Sequence, residues 1–480
     1  MNHNVIVVVI DALRRDSVGI YGSKRGLTPN IDALGQNGTT FENAFACTNT
    51  TDPSVTSMHT GRDPETVVKH HGPFVTGEEK RRAESVPILP EQLQVNGYHT
   101  AVTGRTLGRW HQRGFDYYPE ESLDRYQRRA LGEYLERISP KIREFAGSLY
   151  DRYASATRSS SDAVDDFLEV TSDGPFYGFI HLMDTHVPYT HEAELVSKYL
   201  DRFDYPNADL AEFFRAHEDN GYVSETMREY SDEQDYEAGL ARWFAKYDAA
   251  VRIADRKVGK LIQGLEDRGV LDETTVIITS DHGESLDEHG IYFDHHGLYE
   301  PEIRVPLVFR GPSIPDANRT EFVQLYDLAP TILSLTGTEA TIDADGRSLV
   351  PLLGGEGDWE DREYIIAHES HAQSRRAIRT REYKFVEHVP EPVLERERGD
   401  SFECGYCNTT HGDKRELFDL RADPAETENI IADNRDIAAE LEEALNDYFD
   451  GLETLSTDDS TVEYENEEEL MDRLKDLGYR

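Results

Sequence analysis

Lysine is scarce in this 480-residue chain: 11 lysines and 39 arginines stand against 94 Asp and Glu. A formal net charge of −44 leaves no basic footprint for a phosphate backbone and argues against nucleic acid as a partner. Any anionic substrate must then be met by a local positive centre. Cysteine is equally rare, with Cys47, Cys404 and Cys407 forming an odd, sparse set. That excludes a disulfide-stapled scaffold and fits a reducing compartment. Long hydrophobic runs are missing as well. The run at residues 5–10, close behind Met1, falls far short of the ~18–20 residues of a membrane span and lacks the flanks of a signal peptide. No membrane span is expected, and the cytoplasm is the expected location.

What is present is enough to fold. Hydrophobic residues at 38% and aromatics at 10% are too many for a disordered chain, even at this charge. The length allows one large α/β domain or two medium ones. Abundant carboxylates with little lysine resemble the surfaces of proteins from salt-accumulating halophiles, where dense salt screens the repulsion. An acidic enzyme for a cationic ligand is the competing reading.

Residues 4–10, 176–182 and 274–280 are apolar, β-branched or aromatic runs, the mark of strands buried on both faces of a parallel sheet. They stop at Asp11, at Met183-Asp-Thr-His186 and at Asp281-His282-Gly283. A helix is expected from about 238 to 265, where Trp243, Tyr247, Val251, Ala254, Val258 and Ile262 recur three to four apart. The expected fold is α/β: a doubly wound, mostly parallel central sheet flanked by helices, with a smaller C-terminal antiparallel sheet. Its catalytic part should span 1–360, its C-terminal α+β part 361–455, and an acidic tail with a short helix 456–480. Charged, aromatic-rich stretches at 119–170 and 190–236 read as helical insertions over the sheet. The polar clusters just past three strand ends sit where open α/β sheets hold ligands.

Asp11, Asp281 and His282 could converge at that edge, and carboxylates with an imidazole suit a divalent ion such as Mn²⁺ or Zn²⁺. Taken singly, Asp11 is as readily a helix cap and Asp281 a turn residue. Cys404-x-x-Cys407 followed by His411 has the spacing of half a zinc site or of a disulfide, but no second ligand pair is apparent.

The segment Thr51-Asp52-Pro53-Ser54-Val55, followed after four intervening residues by Thr60-Gly61-Arg62, resembles the sulfatase signature: Cys or Ser, any residue, Pro, Ser, Arg, then four residues and Thr-Gly-Arg. Further segments in family order are 28–34, 280–284, 298–307, 327–331, 346–349 and 417–424. On these the chain is identified as a member of the sulfatase family, within the alkaline phosphatase superfamily. The resemblance implies hydrolysis of a small anionic sulfate or phosphate ester with one divalent ion, Mn²⁺, Zn²⁺ or Ca²⁺. It places Thr51 at the nucleophile and Asp11, Asp281, His282 and Thr51 around the ion. His186 takes the position of a histidine on the ester group. His295 stands where the family has a substrate-binding Lys, and could donate to an anionic oxygen or protonate the leaving group. Its neighbour His296 is the second choice for binding substrate. Arg105 and Arg109 compete for the arginine on the ester oxygens.

Three departures matter. Threonine has no conversion to the formylglycine that sulfatases make from Cys or Ser, so an unmodified, metal-activated Thr51 forming a covalent ester is implied instead. Val55 replaces the signature Arg. Ala12 stands where the family has a second aspartate. Thr51 resembles the threonine nucleophile of nucleotide pyrophosphatases and of phosphoethanolamine or glycerol-phosphate transferases in the superfamily; a phosphodiesterase, phosphonate hydrolase or phospho-group transferase is the alternative, and a ligand-binding member without activity is a third reading. Asp184, His186 and His295 are candidates for a second ion, although the spacing resembles the one-metal pattern. The sequence does not fix the oligomeric state.

Overall fold

The computed structural model describes residues 3–104, 109–119, 163–171, 174–338 and 342–452. Most of the insertion expected at 119–170, the tail at 456–480 and Arg105 lie outside them, as does the side chain of Arg109, whose backbone belongs to the 3₁₀ turn Arg109–Gln112.

The three apolar runs form strands β1 (Asn4–Ile10), β4 (Phe176–Leu182) and β5 (Thr274–Thr279). β1 lies parallel between the other two, with Val9 opposite His181 on one side and Thr279 on the other. Every residue of β1 is buried, as expected where both faces of a sheet are covered. β2 (Thr39–Phe45), β3 (His99–Gly104), β6 (Arg304–Val305), β7 (Leu307–Arg310) and β8 (Ala317–Gln324) complete an eight-stranded sheet. Its order is β3-β4-β1-β5-β7-β2-β6, with β8 against β2. β6 and β7 pair antiparallel with their neighbours and the other pairs are parallel.

Alternation along β1 divides the core. Ile6, Val8 and Ile10 meet Trp243, Tyr247, Val251, Ala254 and Val258 of the long helix Ala241–Asp267. Val5, Val7 and Val9 meet Val55 and Met58 of helix Thr51–Thr60 and Leu328 and Ile332 of helix Leu328–Thr336. Each such aliphatic side chain contributes about 1.5–3 kcal/mol of burial, which clamps the sheet between two helical layers. Residues 190–236 hold short helices, among them Ala193–Arg202 and Leu210–Ala216.

A second sheet, antiparallel and four-stranded, has the order β12-β11-β10-β9. Its strands are β9 (Tyr364–Ser370), β10 (Ser374–Thr380), β11 (Tyr383–His388) and β12 (Arg415–Asp419). Ile366, Ile378, Phe385 and Leu417 on one face pack against Ala438, Leu441 and Leu445 of helix Arg435–Gly451. Ile365, Ala367, Ala377 and Val386 on the other join Phe45 and Phe322 of the larger sheet. The α/β architecture with a small antiparallel sheet is therefore the one expected from the sequence. Among the described residues no helix is long and apolar enough to cross a membrane.

Candidate active site

Strands β1, β4 and β5 end at the same edge, and their pleat decides which side chains meet there. Val9, His181 and Thr279 are register partners, so Asp11 and Asp281, two residues beyond Val9 and Thr279, emerge on the face of His181. Helix Thr51–Thr60 lies on that face with Thr51 as its first residue, so its unpaired N–H groups and positive dipole end point at the same place. Gly61 ends the helix at φ +71°, a left-handed turn that favours glycine.

The loops are bolted together by backbone-directed bonds. Ser280 Oγ accepts from Leu13 N (2.8 Å) and donates to the Ile10 carbonyl (2.5 Å). Ser54 Oγ donates to the Asp281 carbonyl at 2.7 Å, fixing the helix to the end of β5. Asp11 N donates to the Leu182 carbonyl at 2.9 Å. Gly283 passes so close to Pro301 that a Cβ would meet its carbonyl oxygen at 1.9 Å, which explains the glycine after Asp281-His282.

Thr51 Oγ1 stands 3.5 Å from Asp11 Oδ2 and 3.4 Å from His282 Nε2. His282 Nδ1 is 2.8 Å from the Gly283 carbonyl, which assigns the ring proton to Nδ1 and leaves Nε2 a lone pair directed at the hydroxyl. His282 Nε2 is also 3.6 Å from Asp281 Oδ2. Ligand atoms of Asp11, His181 and Asp281 lie within 4.8 Å of one another, and all three residues are buried. His181 Nε2 is 3.2 Å from Asp11 Oδ2.

Asp11 Oδ1 and Asp281 Oδ2 are buried without a hydrogen-bond partner. Burial would push the Asp11 carboxyl up, yet the nearby His186, His181 and His282 hold it below the usual carboxylate range. Two orphaned carboxylate oxygens beside an imidazole, all out of reach of solvent, fit a divalent cation: buried charge is otherwise costly, and this mixed donor set suits such an ion.

The remaining expected residues divide. His295 comes to the site: its ring is 4.1 Å from that of His282 and 6.3 Å from that of His186, and its Nδ1 is 3.2 Å from Glu284 Oε2. Burial, followed by repulsion from His282 and His296, pushes the His295 imidazole well below its ordinary value. Burial raises the Glu284 carboxyl well above its own. His296 does not join them. It turns its Nε2 to Asp294 (2.9 Å) and its Nδ1 to Cys407 Sγ (3.4 Å), so the substrate contact expected of it is not what this geometry gives. Asp184 is held by Lys257 at 2.9 Å through both oxygens, which removes it from any second-ion set.

His181 is the residue that sequence reasoning missed. It sits inside the apolar run Phe-Tyr-Gly-Phe-Ile-His-Leu, and a lone imidazole in a strand buried on both faces was the available signal. Opposite it across the cluster, Ala12 takes φ +55° and its N–H donates to Asp281 Oδ1 at 3.3 Å.

Residues 3–338 match the sulfatase family model, and residues 287–395 match the model of the N-sulphoglucosamine sulphohydrolase C-terminal region. The chain is 27% identical to the uncharacterized sulfatase YidJ of Escherichia coli strain K12, over 94% of this chain and 87% of that one. It is 24% identical to a Delta 4,5-hexuronate-2-O-sulfatase of Bacteroides thetaiotaomicron, over 95% and 90%. It is 26% identical to the N-sulphoglucosamine sulphohydrolase of Homo sapiens, over 89% and 86%. Among solved structures, one in complex with its substrate D-glucosamine-2-N,6-O-disulfate aligns with TM-score 0.63 at 19% identity, covering 94% of this chain and 98% of that one. The phosphonate monoester hydrolase of Agrobacterium radiobacter aligns with TM-score 0.61 at 18% identity, covering 93% and 95%.

Proposed function

This chain belongs to the sulfatase family, and from that premise we propose that it hydrolyses a small anionic sulfate ester with unmodified Thr51 as the nucleophile. The observation that carries the reading is the Thr51 hydroxyl at a helix N-terminus, 3.5 Å from Asp11 and 3.4 Å from the lone pair of His282. Asp11, His181 and Asp281, beside His282 and Thr51, would hold a divalent ion; when bound, it would supply Lewis acidity to the ester group and lower the pKa of the hydroxyl.

The chain's own residues do the rest. His282 Nε2 accepts the Thr51 proton as Oγ1 attacks sulfur, the bond from sulfur to the ester oxygen breaks, and a Thr51 sulfate ester forms. The leaving alcohol takes a proton from His186, while His295, held neutral by burial and its imidazole neighbours, can donate a hydrogen bond to an anionic ester oxygen. Water then attacks sulfur and gives a proton back to His186, the bond from sulfur to Thr51 Oγ1 breaks, hydrogen sulfate departs, and Thr51 Oγ1 regains its proton from His282. The helix N-terminus stabilises charge on the equatorial oxygens throughout. Arg105 and Arg109 remain the proposed arginines for the ester oxygens. The carbohydrate sulfates named for two relatives support a sulfated sugar as substrate.

A second reading rests on Thr51 and Val55 themselves. An unmodified hydroxyl and the missing signature arginine also suit a phosphate or phosphonate ester, with the same histidines serving the same proton transfers. A paired assay at high KCl with p-nitrophenyl sulfate, p-nitrophenyl phosphate and bis-p-nitrophenyl phosphate separates the two. Preference for the sulfate supports the first reading, and preference for a phosphorus ester overturns it in favour of the second.

A further inference from the structure

Outside the site described above, four more metal-ligating side chains converge. His296, Cys404, Cys407 and His411 are all buried, and one ligand atom from each lies within 4.8 Å of the others. His296 Nδ1 stands 3.4 Å from Cys407 Sγ and 3.5 Å from Cys404 Sγ. A tetrahedral Zn²⁺ with Zn–S of about 2.3 Å and Zn–N of about 2.0–2.1 Å sets such N···S edges at about 3.5 Å. The two cysteines are not joined in a disulfide.

The surroundings have the features of a built metal site. Cys404 and Cys407 form a tight turn in which Cys407 N donates to Cys404 Sγ at 3.3 Å and Asn408 N to the Cys404 carbonyl at 3.0 Å. That first bond favours a thiolate at Cys404. Asp294 Oδ2 is 2.9 Å from His296 Nε2, the carboxylate–histidine arrangement that fixes the ring proton on Nε2 and leaves the Nδ1 lone pair for an ion. His411 Nε2 is buried without a hydrogen-bond partner. Tyr222 stands edge-on to His296 at 5.8 Å and Tyr406 stacks on it at 5.1 Å, closing the cluster with aromatic surface.

We propose that His296, Cys404, Cys407 and His411 bind a structural Zn²⁺, separate from the ion of the active site. Binding replaces the two thiol protons, which leave to solvent, so two thiolates and Zn²⁺ make a neutral buried centre. The site ties the 404–411 loop to the residue next to His295. Residues 295–297 are held from the other side by Asn49, whose Nδ2 donates to the His295 and Gly297 carbonyls at 2.8 and 2.9 Å. The zinc thus fixes the backbone that presents His295. This inference stands independently of which ester is cleaved.

The test uses the full chain. Purified without chelator, it should carry zinc, and Co²⁺ exchanged into it should give a thiolate-to-cobalt charge-transfer band. The active-site donors hold no sulfur, so the band reports only the Cys₂His₂ site. Cys404→Ser should lose the band and one zinc per chain, whereas Asp281→Asn should keep both. Should Cys404→Ser fail to fold, titrating the wild type with p-hydroxymercuribenzoate should release one zinc as the two thiols are modified. A cobalt-loaded native chain without the band, thiols that react with no release of zinc, or a Cys404–Cys407 disulfide in the purified protein would each overturn the proposal.

Discussion

Replacing Asp281 by Asn separates the charge of the active site from its shape. The amide oxygen can still accept the backbone N–H bonds that Asp281 Oδ1 takes from Ala12 (3.3 Å) and His282 (3.1 Å). What disappears is the negative charge at the partnerless Oδ2. In the metal-free wild type, carboxylates with ligand atoms within 4.8 Å repel by about 3–4 kcal/mol at an effective dielectric of about 20. Neighbouring imidazoles offset part of this, so metal-free Asp281→Asn should be as stable as the wild type or more so. At a free ion concentration about 100 times Kd the wild type gains about 2.7 kcal/mol, and a melting rise of about 3 °C is the scale for a chain of 480 residues. The variant should lose that rise. The assay is a thermal melt after mild chelation, with and without Mn²⁺, a hard ion that the thiolate pair elsewhere disfavours. A wild-type melt indifferent to Mn²⁺ would refute the reasoning, as would metal-free Asp281→Asn destabilised by more than about 2 kcal/mol, the scale of a lost buried hydrogen bond.

Other outcomes follow from the same geometry. His181→Leu fills the space of the imidazole without its nitrogens, and should weaken Mn²⁺ binding in a calorimetric titration by at least about 100-fold while keeping the fold; unchanged affinity would remove His181 from the ligand set. His70 is buried and sits 2.9 Å from Glu79 and 3.6 Å from Glu391. Burial opposes its charge, but the two carboxylates win and push its imidazole up to about 9. A folded-state pKa above the unfolded 6.5 stabilises the protonated form, so the contribution is complete below pH 6.5 and lost as pH rises through about 9. That is worth about 3 kcal/mol, and denaturant melts from pH 6.5 to 9 should fall more steeply for wild type than for His70→Gln. With a net charge of −44, melting temperature should rise with KCl up to molar concentrations, and a melt flat in salt would count against the halophile-like reading of the surface.

Much of this arrangement was legible along the chain, for local reasons. Uninterrupted apolar runs marked β1, β4 and β5, and the three-to-four spacing from Trp243 to Val258 marked the long helix. Asp11, Asp281 and His282 stood out because each follows a strand, and Thr51 because it holds the nucleophile position of a spaced signature. His181 did not, since its place beside Asp11 exists only through the register of two strands far apart in sequence. The same holds for His296, which meets Cys404 across 108 residues. Beside His295 it read as a substrate residue; only the packing of the 404–411 loop shows where its nitrogens point.

The central claim is that an unmodified Thr51 carries the ester group during turnover. The most direct measurement is rapid-quench mass spectrometry of the peptide containing Thr51, taken during turnover of the preferred nitrophenyl ester and again with Thr51→Ala. The account predicts a plain threonine at rest, a transient sulfo or phospho ester on Thr51, and a loss of kcat by several orders of magnitude in the variant. A modified residue at position 51, or wild-type turnover by Thr51→Ala, would contradict it.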